Sequence, residues 1–258
     1  MRVEKGRDVD DFILETEGLT KEFLGFIAVR DVALKVRRGT IHAMIGPNGA
    51  GKTTVFNLLT KFMRPSYGRI IFKGRDITDE RPADVARLGM VRSFQISAVF
   101  PHLSVRENVR VALQRRLATS FHFWQSEKSL AALDGRADRL LADVGLADYV
   151  FATAAELPYG RKRALEIATT LALDPELLLL DEPMSGLGQE DIGRISGLIR
   201  AVARDRTVLM VEHNLSVVAD LSHTITVMTR GYILAQGSYA EVAENPEVRE
   251  AYLGTGHG

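Results

Sequence analysis

The chain has 258 residues, 46% hydrophobic and 26% charged, with 33 Lys plus Arg against 33 Asp plus Glu. That length buries a substantial core, and a formal net charge of zero lacks the basic surplus of a dedicated nucleic-acid binder. The absence of cysteine excludes disulfides, thiolate metal sites and cysteine nucleophiles, and makes a reducing cytoplasm the natural compartment.

The opening MRVEKGRDVDDF is too charged for a secretory signal and reads as a polar tail. No apolar run approaches the roughly 18 residues that a membrane-spanning helix needs, so the chain is expected to be soluble or peripheral. Residues 13–36 are strand-like, with Val32, Leu34 and Val36 alternating against Ala33 and Lys35. The apolar run 41–45 leads straight into a glycine-rich loop, after which Val55, Leu58, Leu59 and Phe62 fall at helical spacing. Residues 68–73 read as a further strand bounded by glycines. From about residue 104 to 173 the chain is rich in Ala, Leu, Arg and Asp with helical periodicity and no convincing strand. After Pro175 strand and helix alternate again: a strand at 177–180, a helix near 192–203 and a strand at 207–211. A hairpin at 224–236 follows, turning at Arg230 and Gly231. Uninterrupted apolar strands suit a parallel sheet covered on both faces, so an α/β core with a largely helical insertion is predicted.

The loop GPNGAGKTT, made of Gly46, Pro47, Asn48, Gly49, Ala50, Gly51, Lys52, Thr53 and Thr54, meets the pattern G-x-x-x-x-G-K-[ST]. Glycines let backbone N–H groups converge on phosphates, and the helix that follows adds its positive end. Lys52 is placed to reach the terminal phosphates, and the Thr53 hydroxyl to ligate Mg²⁺. The run LLLLDEP supplies a second metal carboxylate, Asp181, and then Glu182, which can orient or deprotonate an attacking water. ATP with Mg²⁺ is the implied ligand. Two classes stay open on these residues: a self-sufficient kinase or GTPase, and a cassette that hydrolyses ATP at a dimer interface.

The segment LPYGRKRALEIATTLALDPELLLLDEP resembles the signature region of the ATP-binding-cassette (ABC) family, in which a motif usually written LSGGQ precedes the acidic strand by about one helix. Here that motif is Leu157-Pro158-Tyr159-Gly160-Arg161, and Ala164, Ile167, Ala168 and Leu171 give the following helix one buried face. Gln95, in VRSFQ, resembles the Q-loop glutamine that touches metal or water. Residues 185–188, Ser-Gly-Leu-Gly, resemble the D-loop, and His213, in VLMVEHN, the switch histidine that bonds the γ-phosphate. Phe23 resembles the aromatic that stacks on adenine; packing alone is the competing reading for it. The resemblance covers essentially the whole chain. It implies a P-loop NTPase (RecA-like) core with a mainly parallel sheet, an N-terminal antiparallel β-subdomain and an inserted α-helical subdomain. As one ABC ATPase domain, the core would take residues 1–95 and 175–258, and the helical subdomain 96–174.

Two positions depart from the family pattern. Pro158 stands where the signature serine is usual, which shifts γ-phosphate binding onto the N–H groups of Tyr159, Gly160 and Arg161. Gly188 stands where the D-loop aspartate is usual. A heterodimer whose partner carries the missing groups accounts for both; a weakly hydrolytic subunit is the rival.

LPYGRKRALEIA, FQISAVFPHLSVRENV and NPEVREAYLG look most like the cassettes of branched-chain amino-acid importers, with urea and amide importers as near relatives. The resemblance implies a second cassette as partner and two transmembrane permease subunits. It also implies a periplasmic substrate-binding protein acting indirectly, a peripheral place on the cytoplasmic face of the inner membrane, and no nucleic acid. Non-transport members of the family typically carry long coiled-coil insertions or two fused cassettes, and neither is in this sequence. Phe121, His122, Phe123 and Trp124 are expected to plug the helical subdomain rather than to meet a membrane subunit. The basic run Arg161, Lys162, Arg163 is expected on a solvated helix face.

Overall fold

The computed structural model describes residues 11–93, 99–115 and 127–253. The first strands are β1 (Phe12–Phe23), β2 (Phe26–Val32), β3 (Lys35–Arg37) and β4 (Ile41–Ile45), followed by helix α1 (Lys52–Leu59). Next come β5 (Tyr67–Phe72), β6 (Arg75–Asp76), α2 (Pro82–Arg87) and β7 (Met90–Ser93). The helices α3 (Val105–Gln114), α4 (Glu127–Asp143) and α5 (Tyr159–Leu171) lead to β8 (Leu177–Asp181) and α6 (Gln189–Val202). The chain continues through β9 (Thr207–Val211), α7 (Leu215–Leu221), β10 (Thr224–Thr229), β11 (Tyr232–Gly237), α8 (Tyr239–Glu244) and α9 (Pro246–Leu253). It divides into two compact units, Met1–Leu88 with Ala203–Gly258, and Gly89–Val202.

In the first unit an antiparallel sheet runs β2-β1-β5-β6, with β3 also paired to β1. The period-two pattern holds: Val32, Leu34 and Val36 are buried while Ala33 and Lys35 are exposed. Where the chain passes from β2 to β3, the buried Thr16 hydroxyl donates to Val32 O and accepts from Leu34 N, both at 2.8 Å. That keeps polar backbone satisfied inside an apolar layer. A second sheet in this unit pairs β10, β4 and β9 in parallel and closes with the antiparallel hairpin β10–β11. Every residue of β4 and β9 is buried, as continuous apolar runs in a parallel sheet require. The one imidazole on β4, His42, is 1% exposed and bonds Thr226 Oγ1 at 2.7 Å through Nε2. Burial lowers its pKa to about 4.

Helix α1 buries Val55, Phe56, Leu58 and Leu59, but Phe62, expected on the same face, lies beyond its end and is exposed. The helix stops where Lys61 turns left-handed at φ 63°.

In the second unit β7 and β8 pair in parallel, Arg92 opposite Leu179. The expected helical subdomain, 96–174, falls within this unit. Ser104 opens α3 with a reciprocal capping box to Glu107. Arg106 grips Asp138 through two 2.8 Å bonds, and Arg110 bonds Asp134 at 3.0 Å, joining α3 to α4. The short elements β7, α2, α8 and α9 carry too few periodic residues to have been anticipated.

Candidate nucleotide site

Strand β4 delivers the chain into the glycine loop, and the loop's path is fixed by its own backbone. Gly46 sits at φ 149°, and a Cβ there would lie 2.2 Å from the Met228 carbonyl oxygen. Gly51, the N-cap of α1 at φ 98°, would bring a Cβ to 2.8 Å from Ala28 O. The Gly231 N–H donates to Ala50 O at 3.1 Å, tying the loop to the β10–β11 turn. The first turn of α1 carries no acidic residue, so nothing offsets its positive end. Lys52 is 6% exposed, and its ammonium donates to Gly46 O at 2.7 Å and to Pro47 O at 3.0 Å. The amine is thereby held inside the curve of the loop, where phosphate oxygens can take over its donors. Asn48, Gly49 and Thr53 are exposed, Pro47 and Thr54 partly so, and Ala50 is buried.

The same unit carries His213, exposed on the loop after β9. The neighbouring Glu212 carboxylate, 3% exposed, accepts from the backbone N–H groups of His213 at 2.9 Å and Asn214 at 3.2 Å. Asn214 in turn caps α7. A buried side chain therefore shapes the main chain that presents the imidazole. Phe23 ends β1 opposite Phe26, partly exposed, with the Lys21 ammonium over its ring at 5.1 Å from the centroid.

The carboxylates and the signature lie in the other unit. Asp181 closes β8 at 2% exposure. Its Oδ2 accepts from the Arg92 guanidinium, while the buried Oδ1 has no hydrogen-bond partner. An oxygen kept dry and unbonded suits a cation, so the residues present fit Mg²⁺. Among the described residues no three His, Asp or Glu groups form a metal cage. Mg²⁺ does not need one, because it is usually held by one or two carboxylates together with substrate phosphates. Glu182, half-buried, has φ 47°, a left-handed backbone that only glycine adopts without strain.

Pro158 is the N-cap of α5, with φ −55° and ψ 154°. Its carbonyl accepts from Arg161 N at 2.9 Å and Lys162 N at 3.0 Å. The Arg161 N–H, one of three expected to meet a phosphate, is thus used inside the first turn. Those of Tyr159 and Gly160 stand at the first two helical positions, outside the intrahelical ladder. Gly160 is buried, and a Cβ there would lie 2.3 Å from Asp191 Cγ. The Tyr159 hydroxyl donates to Ser185 O at 3.3 Å, linking the signature to residues 185–188. Gly188 has open space around it and no positive φ, so the fold does not demand a glycine there.

The basic run at 161–163 is solvated only in part: Arg161 and Lys162 are half-exposed, and Arg163 is buried. Arg163 bonds Glu166 at 2.7 Å, while Arg161 donates to Gly145 O and stacks on Tyr149. The partner of Arg163 sits one turn along the same helix, which charge counting alone overlooks. Gln95 and the residues Phe121, His122, Phe123 and Trp124 lie outside the described residues.

Three side chains at these loops were not anticipated. Arg92 is the one charge on β7, and Glu212 an acid directly after β9; both are visible in the sequence. Asp191 carries no such mark. Among the described residues no helix is long and apolar enough to cross a membrane.

Two family models match the chain: one described as ABC transporter, over residues 29–185, and one described as branched-chain amino acid ATP-binding cassette transporter, over residues 233–258. A high-affinity branched-chain amino acid transport ATP-binding protein of Pseudomonas aeruginosa is 39% identical over 252 residues, covering 94% of this chain and 98% of the relative. One of the same description from Escherichia coli K12 is 38% identical over 254 residues, with the same coverage. Among solved structures, an ATP-binding cassette of an ABC transporter in its ADP conformation superposes with TM-score 0.83 at 29% identity. It covers 94% of this chain and 99% of that one.

Proposed function

This chain belongs to the ABC transporter family of ATP-binding cassettes, and from that premise we propose that it is the ATP-hydrolysing subunit of an importer for branched-chain amino acids. The expected P-loop α/β fold is borne out, and with it an ATP hydrolase of the ABC type. The observation that carries the substrate class is the likeness to branched-chain amino-acid cassettes along 94% of the chain, reinforced by the separate match at its C-terminal end.

We assign the roles as follows. The backbone of residues 46–51 and the amine of Lys52 hold the phosphates, and Phe23 stacks on the base. Thr53 and Asp181, with Gln95, would hold Mg²⁺, which would supply neutralisation of phosphate charge. Glu182 orients or deprotonates the attacking water, and His213 bonds the γ-phosphate. Tyr159 and Gly160 serve the nucleotide on a second cassette, which returns the same contacts. A charge-assisted hydrogen bond contributes about 1.5–3 kcal/mol, so a few contacts formed only in the closed dimer move its equilibrium by orders of magnitude. Two permease subunits would take up that motion, with this chain peripheral on the cytoplasmic face of the inner membrane. A periplasmic protein would deliver the substrate, and no nucleic acid takes part.

The test is reconstitution with the partner cassette, permeases and binding protein in vesicles. ATP-dependent uptake of leucine, isoleucine or valine is expected; uptake of urea or short amides alone refutes the substrate. Glu182→Gln should bind ATP normally and hydrolyse it roughly 10²–10⁴-fold more slowly. Wild-type turnover in that variant removes Glu182 from its role.

A further inference from the structure

Arg92 occupies a costly position for an arginine. It lies on β7 between Val91 and Ser93, its side chain is 10% exposed, and it reaches an Asp181 side chain that is 1% exposed. Burying a guanidinium is unfavourable unless it is paired, and the β7–β8 ladder is made by the backbone, so the sheet itself does not ask for this charge. What the pair does is distinguish the two carboxylate oxygens. Oδ2 is taken by Arg92, and Oδ1 is left buried and unbonded. A lone carboxylate turns through a broad, nearly two-fold torsion, and one clamped oxygen removes that freedom.

We propose that Arg92 is a positioning residue for the metal of the bound nucleotide: by clamping Oδ2 of Asp181 it presents Oδ1 in one fixed orientation to Mg²⁺. The inference rests on the reading of Asp181 as the metal carboxylate. A positive charge near a cation also repels it, so the two effects have opposite signs. Arginine and metal use different oxygens and so do not compete for one, and the metal affinity of a variant lacking Arg92 decides between the two effects. Groups that orient metal ligands from behind change metal affinity by roughly 10–100-fold when removed.

The experiment is a titration of the full chain with Mn²⁺ in the presence of a non-hydrolysable ATP analogue, with free Mn²⁺ followed by electron paramagnetic resonance. Arg92→Gln should weaken Mn²⁺ binding roughly 10–100-fold, while binding of the same analogue in excess EDTA stays within about twofold of wild type. Arg92→Lys, which keeps the charge but loses the planar fork, should fall between the two. If Arg92→Gln fails to fold, the lysine variant carries the test. Mn²⁺ affinity unchanged or tightened in the folded variant overturns the proposal. Asp181→Asn separates the two readings. If it too leaves Mn²⁺ affinity unchanged, the metal assignment itself fails; if it abolishes binding while Arg92→Gln does nothing, only the role of Arg92 fails.

Discussion

A methyl group added at Gly46 would meet the backbone carbonyl of Met228 at 2.2 Å; one added at Gly160 would meet the carboxylate of Asp191 at 2.3 Å. The distances are nearly equal, yet the obstacles differ in kind. The phosphate loop is enclosed by main chain, from Met228 on one side and Ala28 on the other, and main chain in a sheet cannot step aside. The signature turn is enclosed by side chains: Asp191 against Gly160, and the Tyr159 hydroxyl on Ser185 O. A site walled by backbone tolerates no change, whereas one walled by side chains can be altered together with its walls. Of the two departures from the family pattern, Pro158 falls at the second, and Gly188 has open space around it.

The largest effect should therefore come from Gly46→Ala, which combines overpacking with a left-handed backbone and should cost about 3 kcal/mol or more. Calorimetry should show the melting temperature falling by about 10 °C, with nucleotide binding lost. A variant that melts like wild type would break the contrast at its stronger end.

Acid should separate the two regions next. His42, on the strand that feeds the loop, has its pKa lowered from 6.5 to about 4 by burial. Its folded form resists protonation, so its contribution is whole above pH 6.5 and is lost progressively as pH falls to about 4, roughly 3 kcal/mol in all. Glu166 on α5 runs the other way: burial raises its pKa above 4.5, outweighing the Arg163 charge. Protonation relieves that burial, so stability at α5 rises as pH falls through the raised value and the gain is complete below 4.5. Hydrogen exchange between pH 6.5 and 4 should show protection falling in β4 relative to α5. His42→Gln should flatten the β4 slope; if it does not, another group carries the acid response.

A smaller effect is expected at the signature. Gly160→Ala should cost about 1–2 kcal/mol, and adding Asp191→Ala should restore most of it. A double variant no more stable than the single one would mean that the turn is held by its backbone after all, erasing the distinction.

The same contrast explains what could be read from the sequence. The phosphate loop was legible residue by residue because its geometry is local: a strand, glycines at fixed spacing and a helix. Strands β8 and β9 and the β10–β11 hairpin likewise follow from apolar runs and one turn pair. Arg92 meets Asp181 across 89 residues of chain, and Asp191 reaches Gly160 from a separate helix, so no local pattern announces either contact. Helix α1 was read one turn too long because the left-handed residue that ends it is Lys61, which bears none of glycine's usual marking of such a turn. The basic run at 161–163 departs from expectation at one residue: Arg163 lies on the helix face that meets the core, while Arg161 and Lys162 stay half-exposed, and charge alone does not tell them apart.

Glu182 holds a wider consequence. Its backbone, at φ 47°, suits glycine better than glutamate, by about 1–2 kcal/mol. Glu182→Gly should thus melt a few degrees above wild type while hydrolysing almost nothing. On the role proposed for Glu182, selection for a sturdier protein and selection for a working one pull this position in opposite directions. A lineage freed from the need to turn over ATP would have a downhill route to a cassette that folds better and has fallen silent, and a screen that ranks variants by stability alone would reward that loss.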